Sequence, residues 1–266
     1  MAGDWRLILE GPAAGAWNMA TDRALLQAWE LEPGRPTLRI YGWAEPTLSV
    51  GYAQNPDRDL DRARCREEGI PIVRRPTGGR ALLHDREVTY ALVAPVDHPA
   101  FGKSLREAYA TISRLLIETL AAWGLPREHL KASATALPPR TRNRSPACFA
   151  ALNHGEITFR GKKLVGSAQR RTHLAFLQHG SIPLARTGDR FARLCRFPDE
   201  ETRRNEARFL REHTASLDEA SSRPVAYEPV ARVLAGVFQQ GLPGRWSAGE
   251  LTPAERQLRD AFLTGS

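Results

Sequence analysis

Three stretches of this 266-residue chain combine residue types that could carry out chemistry. Cys148 follows Pro146-Ala147 at the end of a segment holding Arg140, Arg142 and Arg144. Positive charge there would draw the thiol below its free pKa of roughly 8.5 and enlarge the thiolate fraction, a condition for nucleophilic attack. An inert buried thiol fits the same position. Lys162-Lys163 open the run Lys-Lys-Leu-Val-Gly-Ser-Ala, where strand alternation sends the two lysines to opposite faces, so that one can face a pocket. A lysine beside a thiolate stabilises it and relays a proton; a solvated strand lysine is the plain alternative. Arg74-Arg75-Pro76-Thr77-Gly78-Gly79-Arg80 sets two glycines in a turn among three guanidinium groups, with His84-Asp85 shortly after. Glycines let backbone N–H groups approach an anion and arginines pair with it in forked geometry. A tight turn with solvated arginines reads equally from these residues alone.

Other chemistries find little footing. Cys65, Cys148 and Cys195 are odd in number and widely spaced, without a C-x-x-C pair, so a disulfide framework is not expected, and Cys65 and Cys195 look incidental within helical stretches. The seven histidines are scattered, which assembles no zinc site. A net charge of +8 and a pI near 9.9 favour an acidic partner. Nucleic acid, an anionic membrane and an acidic carrier protein would all satisfy that demand, as would an arginine-rich composition with no partner behind it. Helix-turn-helix, zinc and stacking-sheet signatures are missing, so nucleic acid is set aside. No apolar run approaches the roughly 20 residues of a membrane span, and the first residues carry no export signal, so a soluble cytoplasmic protein is expected.

The elements that must position these groups follow from periodicity. Trp5 to Leu9 reads as a strand ended by Gly11-Pro12, and Asn18 to Leu31 as a helix. Thr37 to Tyr41 and Thr47 to Tyr52 read as strands, and Leu60 to Glu68 as a charged helix stopped by Gly69. Strands flank the Thr77-Gly78-Gly79 turn, with alternation at Val88, Tyr90 and Leu92. Ser104 caps a helix running to Trp123. Residues 131 to 147 carry no period and read as a surface loop. Glu156 to Phe159, Lys163 to Gln169 and Leu174 to Ile182 read as antiparallel strands. From Gly188 onward the pattern is mostly helical, near Arg190 to Arg196, Glu200 to Glu212, Glu228 to Gln239 and Pro253 to Phe262. This order predicts an α+β fold, with largely antiparallel or mixed β-sheets packed against helices, rather than a doubly wound parallel sheet.

Four groups of residues occur in an order that resembles the successive hallmarks of the lipoate/biotin protein ligase superfamily. They are Asn18-Met19-Ala20 with Asp22; Trp43, Pro46, Ser49, Gly51 and Gln54; Arg74 to Gly79 with His84-Asp85; and Lys163 with Gly166-Ser167-Ala168. Within that superfamily, Ala147-Cys148-Phe149, Gly161 to Gln169 and Leu177-Gln178-His179-Gly180-Ser181 are most similar to the LipM-type octanoyltransferases. The resemblance implies a ligase-like catalytic core over 1–185 and a helical C-terminal extension over 186–266 packed on the same domain. It implies Cys148 as acyl-carrying nucleophile and Lys163 as the lysine shared by the family's ligases and transferases. Arg75, Gly78, Gly79, His84, Gly166, Ser167 and Ala168 would line the substrate pocket, and Leu82, Val165 and Phe176 an acyl channel. Octanoyl-acyl carrier protein would be the donor, a lipoyl domain or glycine cleavage H protein the acceptor, with Arg140 to Arg144 as docking surface and no cofactor. ATP-using lipoate ligases usually carry a third glycine where Arg80 stands and a Gly-Asn pair where Glu87-Val88 stands, which argues against adenylate binding. An ATP- and magnesium-dependent lipoate-protein ligase is the alternative.

Overall fold

A computed structural model describes residues 4–133 and 156–265. The first span holds β1 (Trp5–Ala13), α1 (Gly15–Leu31), β2 (Thr37–Trp43), β3 (Thr47–Val50), α2 (Pro56–Asp59), α3 (Arg62–Glu67), β4 (Ile72–Arg74), β5 (Leu82–His84), β6 (Glu87–Pro95), α4 (Leu105–Trp123) and β7 (Leu130–Ala132). The second holds β8 (Ile157–Phe159), β9 (Lys162–Arg171), β10 (Ala175–Pro183), α5 (Gly188–Leu194), α6 (Glu200–His213), α7 (Leu217–Ala220), α8 (Tyr227–Gly241), β11 (Trp246–Ala248) and α9 (Pro253–Thr264). The described strands form an eight-stranded sheet, β11-β1-β2-β6-β10-β9-β8-β7, and a three-stranded sheet, β4-β3-β5. In the large sheet β1 runs parallel to β2 and β11 and every other pair is antiparallel, while in the small sheet β3 runs parallel to β4 and antiparallel to β5. The fold is therefore α+β with mixed sheets, as the periodicity predicts.

Alternation sorts the large sheet into two faces. Leu38, Ile40, Tyr90, Leu92 and Phe176 point to one side, where Leu116 of α4 and Leu234 and Phe238 of α8 close over them. Each such fully buried side chain contributes roughly 1.5–3 kcal/mol. Tyr41, Trp43, Ala91, Val93 and Leu177 point to the other side, against Met19, Leu25 and Leu26 of α1. The small sheet packs Leu48, Val50 and Leu83 on Cys65, Phe191 and Leu210, which come from α3, α5 and α6.

Local signals explain the boundaries. Ser104 and Glu107 form a capping box at the start of α4, and Gly124, at φ 114°, ends it. The turn between β8 and β9 uses Arg160 (φ 50°) and Gly161 (φ 79°), both in the left-handed region that suits a tight hairpin. One reading changes: β1 continues through Gly11-Pro12, because a register shift between Leu9 and Pro12 absorbs them and pairing with β2 resumes at Gly42. The C-terminal region is mostly helical, as expected, and adds the short strand β11, which joins the sheet edge beside β1, where Trp246 stacks on Trp5 with ring centroids 4.9 Å apart. Among the described residues no helix is long and apolar enough to cross a membrane.

Candidate active site

On the α1 face of the large sheet, one row of positions is polar although buried. Tyr41 of β2 stands opposite Thr89 of β6, Thr89 opposite Ser181 of β10, and Ala91 opposite His179. Register also brings Gly166 beside Ser181 and Ala168 beside His179. The small sheet lies over this row, and a cavity of about 450 Å3 remains between them. Its walls include Met19, Tyr41, Trp43, Arg75, Leu82, His84, Gly166, Ser167, Ala168 and His179.

Two hydrogen-bonded networks hold these walls. In the first, Asp22 of α1 accepts from Arg39 Nη1 at 2.8 Å, from the Tyr41 hydroxyl at 2.8 Å and from His179 Nδ1 at 2.9 Å. Burial raises the Asp22 pKa, but the His179 hydrogen bond and the Arg39 guanidinium outweigh it and hold the carboxyl below its ordinary value. An ionised Asp22 only accepts, so Nδ1 of His179 carries a proton, and Nε2 on the other side of the ring lies 2.6 Å from Thr77 Oγ1. This chain of bonds ties the Thr77-Gly78-Gly79 turn to the core of the sheet. Arg39, fully buried, is also satisfied by Glu10 and by Asn18 Oδ1.

In the second network, Glu87 accepts from His84 Nδ1 at 2.8 Å and from Thr89 Oγ1. Ser49 Oγ accepts from Arg75 Nη1 at 3.0 Å and lies 2.7 Å from His84 Nε2. The His84 ring stacks on Trp43 at 3.8 Å between centroids, and the Trp43 indole N–H donates to Thr89 Oγ1 at 2.9 Å. Burial raises the Glu87 pKa, while charge and hydrogen bonding from His84 more than reverse this, so its pKa falls below the ordinary carboxylate value. The Ser181 hydroxyl lies near Glu87 and helps to hold its carboxyl down, although it makes no hydrogen bond of good geometry to a described group.

The arginines of the glycine turn act as staples. Arg75 donates from Nε and Nη2 to the Gly78 carbonyl and from Nη2 to the Arg80 carbonyl, while Arg74 Nη1 reaches the carbonyls of Gly51, Tyr52 and Gln54. Gly79 sits at φ 96°, and a Cβ on Gly51 would lie 2.1 Å from the Gly79 carbonyl oxygen, so only glycine lets the turn close on the end of β3. Gly78 and Gly79 are not among the cavity walls; the Gly78 carbonyl holds Arg75, which is. Ser167 contributes to the wall, but its hydroxyl bonds the Tyr90 hydroxyl at 2.8 Å, on the opposite face of the sheet. Val165 and Phe176, expected along an acyl channel, belong to that apolar face and are fully buried there, whereas Leu82 does line the cavity.

Lys163 stands three residues before Gly166, about 10 Å along the strand. Its ammonium donates to Glu156 Oε1 at 2.6 Å, both side chains being 1% exposed, and its carbonyl accepts from Ala215 N at 2.8 Å. Cys148 and the Arg140 to Arg144 segment lie outside the described residues. Burial pushes the Cys65 thiol up to about 11 and the Cys195 thiol well above its usual value, so neither supplies a thiolate near neutral pH. No cluster of His, Cys, Asp or Glu among the described residues could hold a metal ion.

Sequence reasoning passed over His179, Glu87 and Glu156 as site residues, and took Asp22, Trp43 and Ser49 only as hallmarks. A polar residue at a position where strand or helix period demands an apolar one was the available signal: Asp22 lies on the buried face of α1 with Leu25 and Leu26.

Residues 14–239 match the family described as lipoyl protein ligase A/B catalytic domain. The chain is 39% identical over 259 residues to a protein of Kyrpidia tusciae named octanoyltransferase LipM, covering 97% of this chain and 94% of that relative. A protein of the same name from Carboxydothermus hydrogenoformans is 36% identical over 260 residues, covering 97% and 94%. Among solved structures, a bipartite lipoate protein ligase from Thermoplasma acidophilum, studied with its E2 lipoyl domain, aligns with TM-score 0.78 at 22% identity over 98% of this chain and 92% of that chain. A lipoate-protein ligase A bound with ATP aligns with TM-score 0.76 at 21% identity over 99% and 95%. At these identities the structural matches speak for the fold alone.

Proposed function

The chain belongs to the lipoyl protein ligase A/B catalytic domain family, and on that premise we propose that it moves an octanoyl group from acyl carrier protein to a lysine of a lipoyl domain or glycine cleavage H protein. Octanoyl transfer is the activity named for relatives that match it over nearly its whole length, and we place it in lipoate biosynthesis. The observation that carries the reading into the structure is the cavity of about 450 Å3 on the α1 face. Met19, Trp43 and Leu82 offer it hydrocarbon and ring faces, and His84, His179 and Arg75 in its wall are bonded to neighbouring groups, which suits the lining to an acyl chain.

The Cys148 thiolate attacks the thioester carbonyl, the bond from carbon to the pantetheine sulfur breaks, and the departing thiolate takes up a proton. The octanoyl group is then held as a thioester on Cys148. The uncharged amine of the acceptor lysine attacks this thioester, loses its proton, and forms the amide while the Cys148 thiolate is released. Lys163 stabilises the oxyanion and relays that proton, with Glu156 as the group that orients it. Arg75 and His84 set the cavity wall, the Gly78 carbonyl holds Arg75 in place, and Gly166, Ser167 and Ala168 offer backbone to the acyl chain. The high pKa of both described cysteines supports giving the nucleophilic role to Cys148.

The test is transfer from octanoyl-acyl carrier protein to an apo lipoyl domain without ATP. Wild type should transfer and Cys148→Ala should not. A Cys148→Ala protein that still modifies the acceptor when given free octanoic acid, ATP and magnesium would move the chain to the ligases.

A further inference from the structure

A second hollow lies on the other side of Leu82. It holds about 560 Å3 of empty space between β5, the start of β6, the end of β10 and the helices α5 and α6. Leu82 lines both this groove and the acyl cavity, and the bonded pair His84 and Glu87 spans the boundary, His84 on the cavity side and Glu87 on the groove side. The far wall of the groove includes Thr214 and Ala215, and Ala215 N donates to the Lys163 carbonyl at 2.8 Å. The groove therefore adjoins the cavity across Leu82 and passes the strand that carries Lys163. Leu83, Pro183, Ala185, Phe191 and Leu210 make its walls largely apolar, with charge at the rim. Arg86 there is exposed and has no carboxylate partner among the described residues. Arg186 is half-buried and paired with Glu219.

A thioester donor has two halves, and the reaction separates them at the carbonyl carbon. With the acyl chain in the cavity, the thiol arm must run away from it, past the catalytic lysine, in a passage narrow enough for a single chain. We infer that the groove between β5 and α5–α6 binds the pantetheine arm of the donor, with Arg86 at the end where the arm carries its phosphate. The inference rests on the acyl-transfer reading and adds the subsite for the leaving group. A pantetheine arm suits the walls: its geminal methyl groups and methylene units match the apolar lining, and its phosphate suits an unpaired guanidinium at the exit. The acceptor lysine, presented by a folded domain, has no need of an apolar trough of this length.

Thr187 lines the groove and makes no side-chain capping bond at the start of α5, so a larger side chain there narrows the passage without removing a cap. Steady-state transfer to an apo lipoyl domain should be measured with S-octanoyl-4′-phosphopantetheine, S-octanoyl-pantetheine and the truncated S-octanoyl-N-acetylcysteamine. Thr187→Trp should raise the ratio of KM for the phosphopantetheine thioester to KM for the truncated thioester by about tenfold. Arg86→Ala, at an exposed position that keeps the test standing if the tryptophan variant does not fold, should raise KM for the phosphorylated arm relative to the unphosphorylated one by roughly fivefold. Both ratios unchanged would overturn the inference. So would a wild type that uses octanoyl-acyl carrier protein but none of the three small thioesters, because the arm would then have no seat of its own. Failure of transfer from every donor, carrier protein included, would instead overturn the acyl-transfer reading, and the inference with it.

Discussion

The two faces of the large sheet are equally dry and differently built. Along β6, Val88, Tyr90, Leu92 and Ala94 look toward α4 and α8, while Glu87, Thr89, Ala91 and Val93 look toward α1 and the small sheet, and all eight are buried. The first face is held mainly by hydrocarbon packing, which is non-directional and tolerates any close-packed arrangement of suitable volume. The second holds Arg39, Asp22, His179, His84 and Glu87, each with named partners at hydrogen-bond distance. Buried polar groups are costly unless paired, so this face can exist in few arrangements. The difference teaches where precision comes from: packing alone sets the apolar face, whereas the site face is fixed by bonds that also anchor the glycine turn and Trp43.

Removing one charge from the site face should have the largest effect. Asp22→Asn leaves the buried Arg39 without its inner carboxylate and should cost roughly 3–5 kcal/mol in urea unfolding; a loss under about 1 kcal/mol would mean that the network does not hold the face. The same variant tests the electrostatics. The folded pKa of Asp22 is depressed, so its contribution is complete above its unfolded pKa, about 3.9. That contribution is lost as pH falls through the lower folded value. Wild type should therefore lose stability steeply on acidification below about pH 4, and Asp22→Asn should show a flatter slope there.

A cavity on the apolar face sharpens the contrast. Leu92→Ala should cost about 3 kcal/mol, yet kcat/KM per folded molecule should stay within about twofold of wild type. A large loss of activity would show that the two faces are coupled through the sheet. The smallest effect is expected at Ser181, which lines the cavity and whose hydroxyl makes no hydrogen bond of good geometry to a described group. Ser181→Ala should change stability by no more than about 0.5 kcal/mol. A rise in KM for the octanoyl donor with unchanged stability would assign that hydroxyl to the substrate.

Much of the apolar face was legible, because the alternation of Val88, Tyr90 and Leu92 and the capped stripe of α4 are strong periodic signals. The site face was legible only in part. Its polar residues break the apolar period, and nothing local in the sequence says that Asp22 meets His179, 157 positions away. Arg75 and His84 stood out through their turn and their neighbours, but whether their donors face a ligand or the chain itself depends on where Ser49 and Gly78 lie. β7 and β11 have three residues each, too few for alternation to register, and β11 is recognisable only through its pairing with β1 and the stacking of Trp246 on Trp5.

The central claim is that the acyl group rests on the enzyme between donor and acceptor. Purified enzyme should be incubated with octanoyl-acyl carrier protein alone, without acceptor or ATP, and the intact protein weighed beside Cys148→Ala. A hydroxylamine-sensitive octanoyl adduct on wild type and none on the variant is the predicted result. An unmodified wild type, under conditions where the complete mixture with acceptor does transfer, would contradict the acyl-enzyme account.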